Sequence, residues 1–184
     1  AGNDRRMIES ELRVKDGSRD MTDNNDVVVR PALPDEANEL FRLINDNVKT
    51  GHLLPRTIGE IALHIPRFFV AAGAKKVLGC AELLHLGPTV AEVRSLVVAD
   101  RFRGRGVGSQ LLYELLDAAR LQGYPTLCAF VHEPRPFVRM GFAIVPHFWI
   151  PEKISTDCHT CTWFRRCRQY AVVLDLRQVP KTKI

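Results

Sequence analysis

Apolar positions along this chain alternate between a period of two and the three-to-four spacing of a helix face, and the switches divide it into strands and helices. The β-branched run Val27-Val28-Val29-Arg30 ends at Pro31, which has no N–H for a ladder, and predicts a first strand. Pro34-Asp35-Glu36 suits a first helical turn through proline's fixed φ and acidic charge at the positive end of the helix. Ala37, Leu40, Phe41, Ile44 and Val48 then recur with helical spacing, and Ile58, Ile61, Ala62 and Ile65 predict one face of a second, shorter helix ending before Pro66. Residues 68–72 and 77–85 flank Gly73-Ala74-Lys75-Lys76 as a hairpin, and 91–98 supply a fourth strand. A glycine-rich turn leads into a helix with Val107, Leu111, Leu112, Leu115, Leu116 and Ala119 on its buried side, ending near Gly123. Residues 126–131 and a last strand at 171–176 complete the pattern.

Composition narrows this to one domain. The chain has 184 residues, 46% of them apolar, enough for a single core. Five Cys is an odd number in a chain that can rely on its core, so reduced thiols are expected rather than a disulfide framework. No apolar stretch approaches the roughly 20 residues that span a bilayer, and no secretory pattern opens the chain. The expectation is a soluble, cytoplasmic protein. Net charge is +5, although residues 1–26 hold five basic against seven acidic side chains and read as a flexible polar tail with a short helix at 5–14. The more basic body at 27–184 lacks a nucleic-acid reader motif, which leaves an anionic small ligand as its partner.

The chemistry concentrates where Ala91-Glu92-Val93-Arg94-Ser95-Leu96-Val97-Val98 runs through residues 99–102 into Arg103-Gly104-Arg105-Gly106-Val107-Gly108-Ser109. The first amides of a helix have no internal partner, and a glycine turn lets phosphate oxygens approach them. A Walker loop needs Lys and then Ser or Thr after its second glycine, and a dinucleotide fingerprint needs Gly-x-Gly-x-x-Gly. Glycines at 104, 106 and 108 followed by Ser109-Gln110 satisfy neither.

Arg103-x-x-Gly106-x-Gly108, entered from a strand carrying Leu96-Val97-Val98, instead resembles the acetyl-CoA motif of the GNAT acetyltransferase superfamily. The resemblance implies one GNAT-like α/β (α+β) domain over 27–184, with a mixed, mostly antiparallel central sheet of six to seven strands flanked by helices. It makes acetyl-CoA the co-substrate, with Leu96, Val97, Val98, Arg103, Gly104, Arg105, Gly106, Val107, Gly108 and Ser109 as its binding residues. In the expected geometry, two antiparallel-packed strands splay near Val97 and Val98 and expose a backbone N–H to the thioester oxygen.

Gly51-His52-Leu53-Leu54-Pro55-Arg56-Thr57, the 91–98 strand, and Pro151-Glu152-Lys153-Ile154 leading to Asp157-Cys158-His159-Thr160-Cys161 and Cys167 are more narrowly similar to short, single-domain N-acetylglutamate synthases. That likeness implies acetylation of the α-amino group of L-glutamate, with glutamine or another amine as the alternative acceptor and a non-catalytic acetyl-CoA sensor as the alternative function. It involves no nucleic acid or membrane and admits a homodimer.

Glu92 is the candidate base for an ammonium of pKa about 8; its plain alternative is a strand-surface glutamate paired with Arg94 or Lys76. Arg94 and Arg56 are candidates to grip carboxylates, since a guanidinium offers two parallel N–H donors. Period-two alternation places Arg94 on the face of Glu92, with Leu96 following. Many superfamily members carry Tyr where this chain has Phe137, which cannot donate a proton; Tyr124 and His132 are donors by location alone. The Cys-rich loop at 151–168 holds Cys158, Cys161 and Cys167 but no second Cys-x-x-Cys pair, and no metal is assigned to it. Cys80 and Cys128 lie in apolar runs and are expected in the core, whereas His52, His64, His85 and His147 are expected at the surface or its boundary.

Overall fold

A computed structural model describes residues 27–48, 53–73 and 76–178. The tail at 1–26, where a short helix is expected, together with Gly51, His52, Ala74 and Lys75, lies outside the described residues.

Seven strands form one sheet in the order β1 (Val28–Pro31), β2 (Phe68–Ala72), β3 (Val77–Gly87), β4 (Val90–Val98), β5 (Thr126–Val131), β7 (Tyr170–Asp175) and β6 (Ala143–Val145). Every neighbouring pair is antiparallel except β4 with β5, which run parallel. The parallel pair requires a crossover, provided by α3 (Val107–Leu121). Val107, Leu111, Leu112, Leu115, Leu116 and Ala119 all turn inward from α3, the six expected from their spacing. They meet Ala81, Leu83, Ala91, Val93, Leu127 and Ala129 on one face of the sheet.

Two separate apolar clusters cover the other face. Leu40 and Ile44 of α1 (Ala37–Val48) and Ile61 of α2 (Ile58–His64) pack on Val70, Cys80 and Val97. Farther along, Ile150, just before α5 (Pro151–Thr156), packs on Leu86, Val90, Cys128 and Ala171. The short helix α2 buries only Ile61, with Ile65 just beyond it; Ile58 and Ala62, expected on the same face, are exposed. A seven-residue helix rotates too few side chains into contact to bury a whole stripe. α4 (Arg135–Arg139) tucks Phe137 against Phe142, ring edge to face, at 5.3 Å.

Two irregularities shape the centre of the sheet. β4 pairs with β5 only from Val90 to Val93, while on its other side it follows β3 as far as Val98. The splay near Val97 and Val98 therefore opens between parallel strands, not the antiparallel ones expected. The second irregularity is a bulge: Cys80 faces Val97 and Glu82 faces Arg94, so β4 carries one residue more than β3 between these pairs. Ser95 takes up the excess at φ 48°, a left-handed conformation that few non-glycine residues adopt. The bulge shifts the alternation, so Leu96 packs on the α3 side and Val97, not Leu96, follows Glu92 and Arg94 on the opposite face.

Candidate active site

The glycine turn lies where β4 ends. Gly104 and Gly106 have φ of 73° and 85°, and the left-handed Gly106 caps α3. The first hydrogen bond of α3 runs from the Gln110 N–H to Gly106 O at 3.0 Å, so the amides of Val107, Gly108 and Ser109 precede the helical ladder and point out of the helix start. An added Cβ at Gly104 or Gly106 would meet nothing within 4 Å, so the positive φ is what favours glycine there. Arg105 and Arg101 extend over the Phe102 ring, at 5.7 and 4.7 Å from its centroid, adding positive charge to the turn. Arg103 acts as a brace: its Nε donates to Val98 O at 3.0 Å, and its Nη2 donates to Asn47 of α1 and meets Asp100 at 2.9 Å. The turn is thereby tied to the last residue of β4 and to α1.

The splay supplies the second component. Ala99 donates its N–H to Leu78 O at 2.8 Å. Successive strand amides point to opposite sides, so the Val98 N–H points away from β3 into the gap beside β5. Val97 faces the other way, with its side chain among the α1 and α2 contacts. Gly79 fits tightly below, where a Cβ would come within 2.9 Å of Val97 O.

The third component is ionic and fills the space between the two apolar clusters. Glu92 is 2% exposed and accepts from Lys153 Nζ at 2.6 Å and Arg94 Nε at 2.8 Å, one cation on each carboxylate oxygen. Both cations also hold Asp157: Lys153 Nζ donates to its Oδ2 at 2.8 Å, and Arg94 Nη2 donates to the same oxygen. Lys153 stands 5.1 Å over the Phe130 ring. Directly opposite Glu92 on β5, the Cys128 thiol is pushed up by burial and by the adjacent carboxylate. Glu92 and Arg94 share a face and a hydrogen bond, as alternation predicts; Lys153 and Asp157 arrive from α5 and its end and were not read from the sequence as site residues.

Beside this group, Glu82 is fully buried and pairs with Arg56 Nη1 at 2.8 Å, while His64 Nδ1 lies 2.9 Å from its other oxygen. Arg56 also donates to Ser95 Oγ at 3.1 Å and pairs with Glu60 at 2.6 Å. Arg56, the other arginine expected at a ligand carboxylate, pairs with the carboxylates of Glu82 and Glu60 and reaches Ser95 at the bulge of β4. Glu82 went unread because it sits within an apolar strand. His64, expected at the surface or its boundary, is half-buried and belongs to this unit; His85 is 2.7 Å from the Tyr124 hydroxyl and His147 2.8 Å from Gln169 O. Tyr124 lies at the Val90 end of the β4–β5 pair, opposite the splay, and its hydroxyl is engaged there; His132 follows β5 at the open end.

A splayed parallel pair, a glycine-capped helix start and a group of paired carboxylates and cations lie together along β4. The sequence model of the Acetyltransferase (GNAT) family matches residues 35–142. The chain belongs to the GNAT acetyltransferase family. A curated relative, an uncharacterized N-acetyltransferase of Chlorobaculum tepidum, is 30% identical over 151 residues, covering 82% of this chain and 97% of its own. Among solved structures, Rv2747 of Mycobacterium tuberculosis in complex with CoA superposes with a TM-score of 0.70 at 21% identity, covering 80% of this chain and 98% of that one. N-acetylglutamate synthase of Neisseria gonorrhoeae, complexed with coenzyme A and N-acetyl-glutamate, gives 0.69 at 23%, covering 83% of this chain but 35% of that longer one. At these identities the two structures establish the shared GNAT fold. No described helix is long and apolar enough to cross a membrane.

Proposed function

We propose that this acetyltransferase moves the acetyl group of acetyl-CoA to the α-amino group of an acidic amino acid, L-glutamate foremost, as an N-acetylglutamate synthase does at the entry to arginine biosynthesis. The observation that carries this reading is the pair of cations, Arg94 and Lys153, beside the buried Glu92 where β4 parts from β5. A cationic acceptor would find no such pair useful; an anionic one would.

Acetyl-CoA supplies an activated thioester, and the chain's residues position it. The free amides of Val107, Gly108 and Ser109, with Arg103 to Gly106 shaping the turn, suit a pyrophosphate. The Val98 N–H in the gap suits an extended amide arm laid beside β4 like an added strand. Glu92 serves as base toward the acceptor ammonium, directly or through a water. Each of its oxygens retains acceptor capacity beyond the one cation it binds. Arg56 supports this arrangement by fixing the Ser95 bulge.

A non-catalytic acetyl-CoA sensor is the second reading, favoured by Phe137, which is buried against Phe142 and has no proton to donate. Thiol release from acetyl-CoA over a panel of amino acids separates the two. The proposal expects the highest kcat/KM with L-glutamate and a drop of about tenfold or more for neutral analogues, in line with the loss of one charge-assisted contact. Tight acetyl-CoA binding without turnover on any acceptor would leave the sensor.

A further inference from the structure

Asp157 and Glu92 bind the same two cations but are held very differently. Glu92 projects from the middle of β4 with its side chain 3% exposed. Asp157 is 38% exposed and stands at the junction between α5 and the turn that begins at Cys158. Its backbone is anchored independently of its carboxylate: its N–H donates to Lys153 O at 3.0 Å, and Thr160 Oγ1 donates to its carbonyl at 3.2 Å. A rotation about the Asp157 side-chain bonds would free the carboxylate from Arg94 and Lys153 without disturbing a strand or helix.

Charge decides whether a ligand can join this group or must replace part of it. Two carboxylates, Glu92 and Asp157, already balance Arg94 and Lys153. A third carboxylate on the same two cations would crowd like charges in a partly desolvated space. Glu92 cannot withdraw, so Asp157 must. From this we infer that Arg94 and Lys153 form a binding site for the side-chain or α-carboxylate of the acceptor, and that Asp157 occupies it as a tethered stand-in displaced when the ligand enters. The inference rests on the acidic-acceptor reading and adds Lys153 as a specificity residue and Asp157 as a built-in competitor.

A carboxylate on so short a tether competes at an effective concentration of about millimolar or above. Asp157 therefore weakens acceptor binding by a constant factor, and an amine without a carboxylate leaves the clamp closed beside Glu92.

Calorimetric titration with glutarate, a dicarboxylate that has no amine to acetylate, tests this without acetyl transfer. Asp157→Asn and Asp157→Ser should each bind glutarate about tenfold more tightly than the unmodified protein, while Asp157→Glu, which keeps a tethered carboxylate, should show no comparable gain. Adding Lys153→Met to Asp157→Asn should remove the gain. Unchanged or weaker glutarate binding in both Asp157→Asn and Asp157→Ser, or no binding by any variant, overturns the inference. A gain in glutarate affinity together with no turnover on any amino acid would instead refute the amino-acid-acceptor reading and leave the carboxylate site standing.

Discussion

At the scale of single residues, the site turns on which carboxylate is fixed and which cation reaches it. Glu92 is fixed by its strand and by two cations, so Glu92→Gln removes the carboxylate proposed as base while nearly keeping the shape. It should lower kcat by about a hundredfold or more and leave acetyl-CoA affinity unchanged, as single-turnover kinetics and a cofactor titration would show. A second carboxylate, Glu36, belongs to the fold. Arg30 donates to both of its oxygens, at 2.7 and 2.9 Å, and the Leu33 N–H donates at 2.7 Å, which holds its carboxyl below the usual range, chiefly through the Arg30 hydrogen bonds. A depressed folded value means that the contribution is complete above the ordinary glutamate pKa of about 4.3 and is lost as pH falls through the folded value. Glu36→Gln should cost up to about 1 kcal/mol at pH 7 and flatten that part of the acid limb in denaturant titrations at stepped pH.

At the scale of elements, the turn between β4 and α3 matters because two left-handed glycines set where the helix begins. With φ 85° at Gly106, Gly106→Val would place a β-branched residue where it costs about 1–2 kcal/mol or more. Relaxation of that strain would redirect the amides of Val107 to Ser109. The expected result is a rise in KM for acetyl-CoA of about tenfold, with a fall in melting temperature of about 2–8 °C, measured by steady-state kinetics beside a melting curve. The Ser95 bulge acts on the other side of the same strand. It changes which residues of β4 face α1 and which face α3, and so allows Glu92 and Arg94 to share a face with Val97. Arg56, through Ser95 Oγ and Glu82, keeps that shift in place.

At the scale of the whole molecule, the sheet is sealed on the α3 face and interrupted on the other by charge lying between two apolar clusters. The distribution of the five cysteines follows that plan. Cys80 and Cys128 are buried, and burial pushes both thiols well above their ordinary value, whereas Cys161 and Cys167 are exposed. Titration with a thiol reagent should modify Cys161 and Cys167 rapidly and Cys80 and Cys128 only after denaturant is added, with the modified residues assigned by peptide mass. Spacing alone revealed every strand but the three-residue β6, α3 with all six buried residues, the glycine turn, and the shared face of Glu92 and Arg94, because each depends on a local period or local backbone chemistry, whereas three residues are too few to show a period. Lys153 and Asp157 did not stand out because they meet β4 from 61 and 63 residues downstream, and no local pattern encodes such a contact. Glu82 was hidden because a buried ion pair interrupts an apolar strand without changing its period, and the bulge was hidden because it rests on one residue's φ. The sequence by itself determined the longer strands, α1, α3 and the place of the glycine turn, since those follow from side-chain periodicity and glycine's tolerance of positive φ. Only tertiary structure decided that the splayed strands are parallel, that Arg56 braces the bulge, and that two cations share Asp157 with Glu92, because long-range packing sets all three.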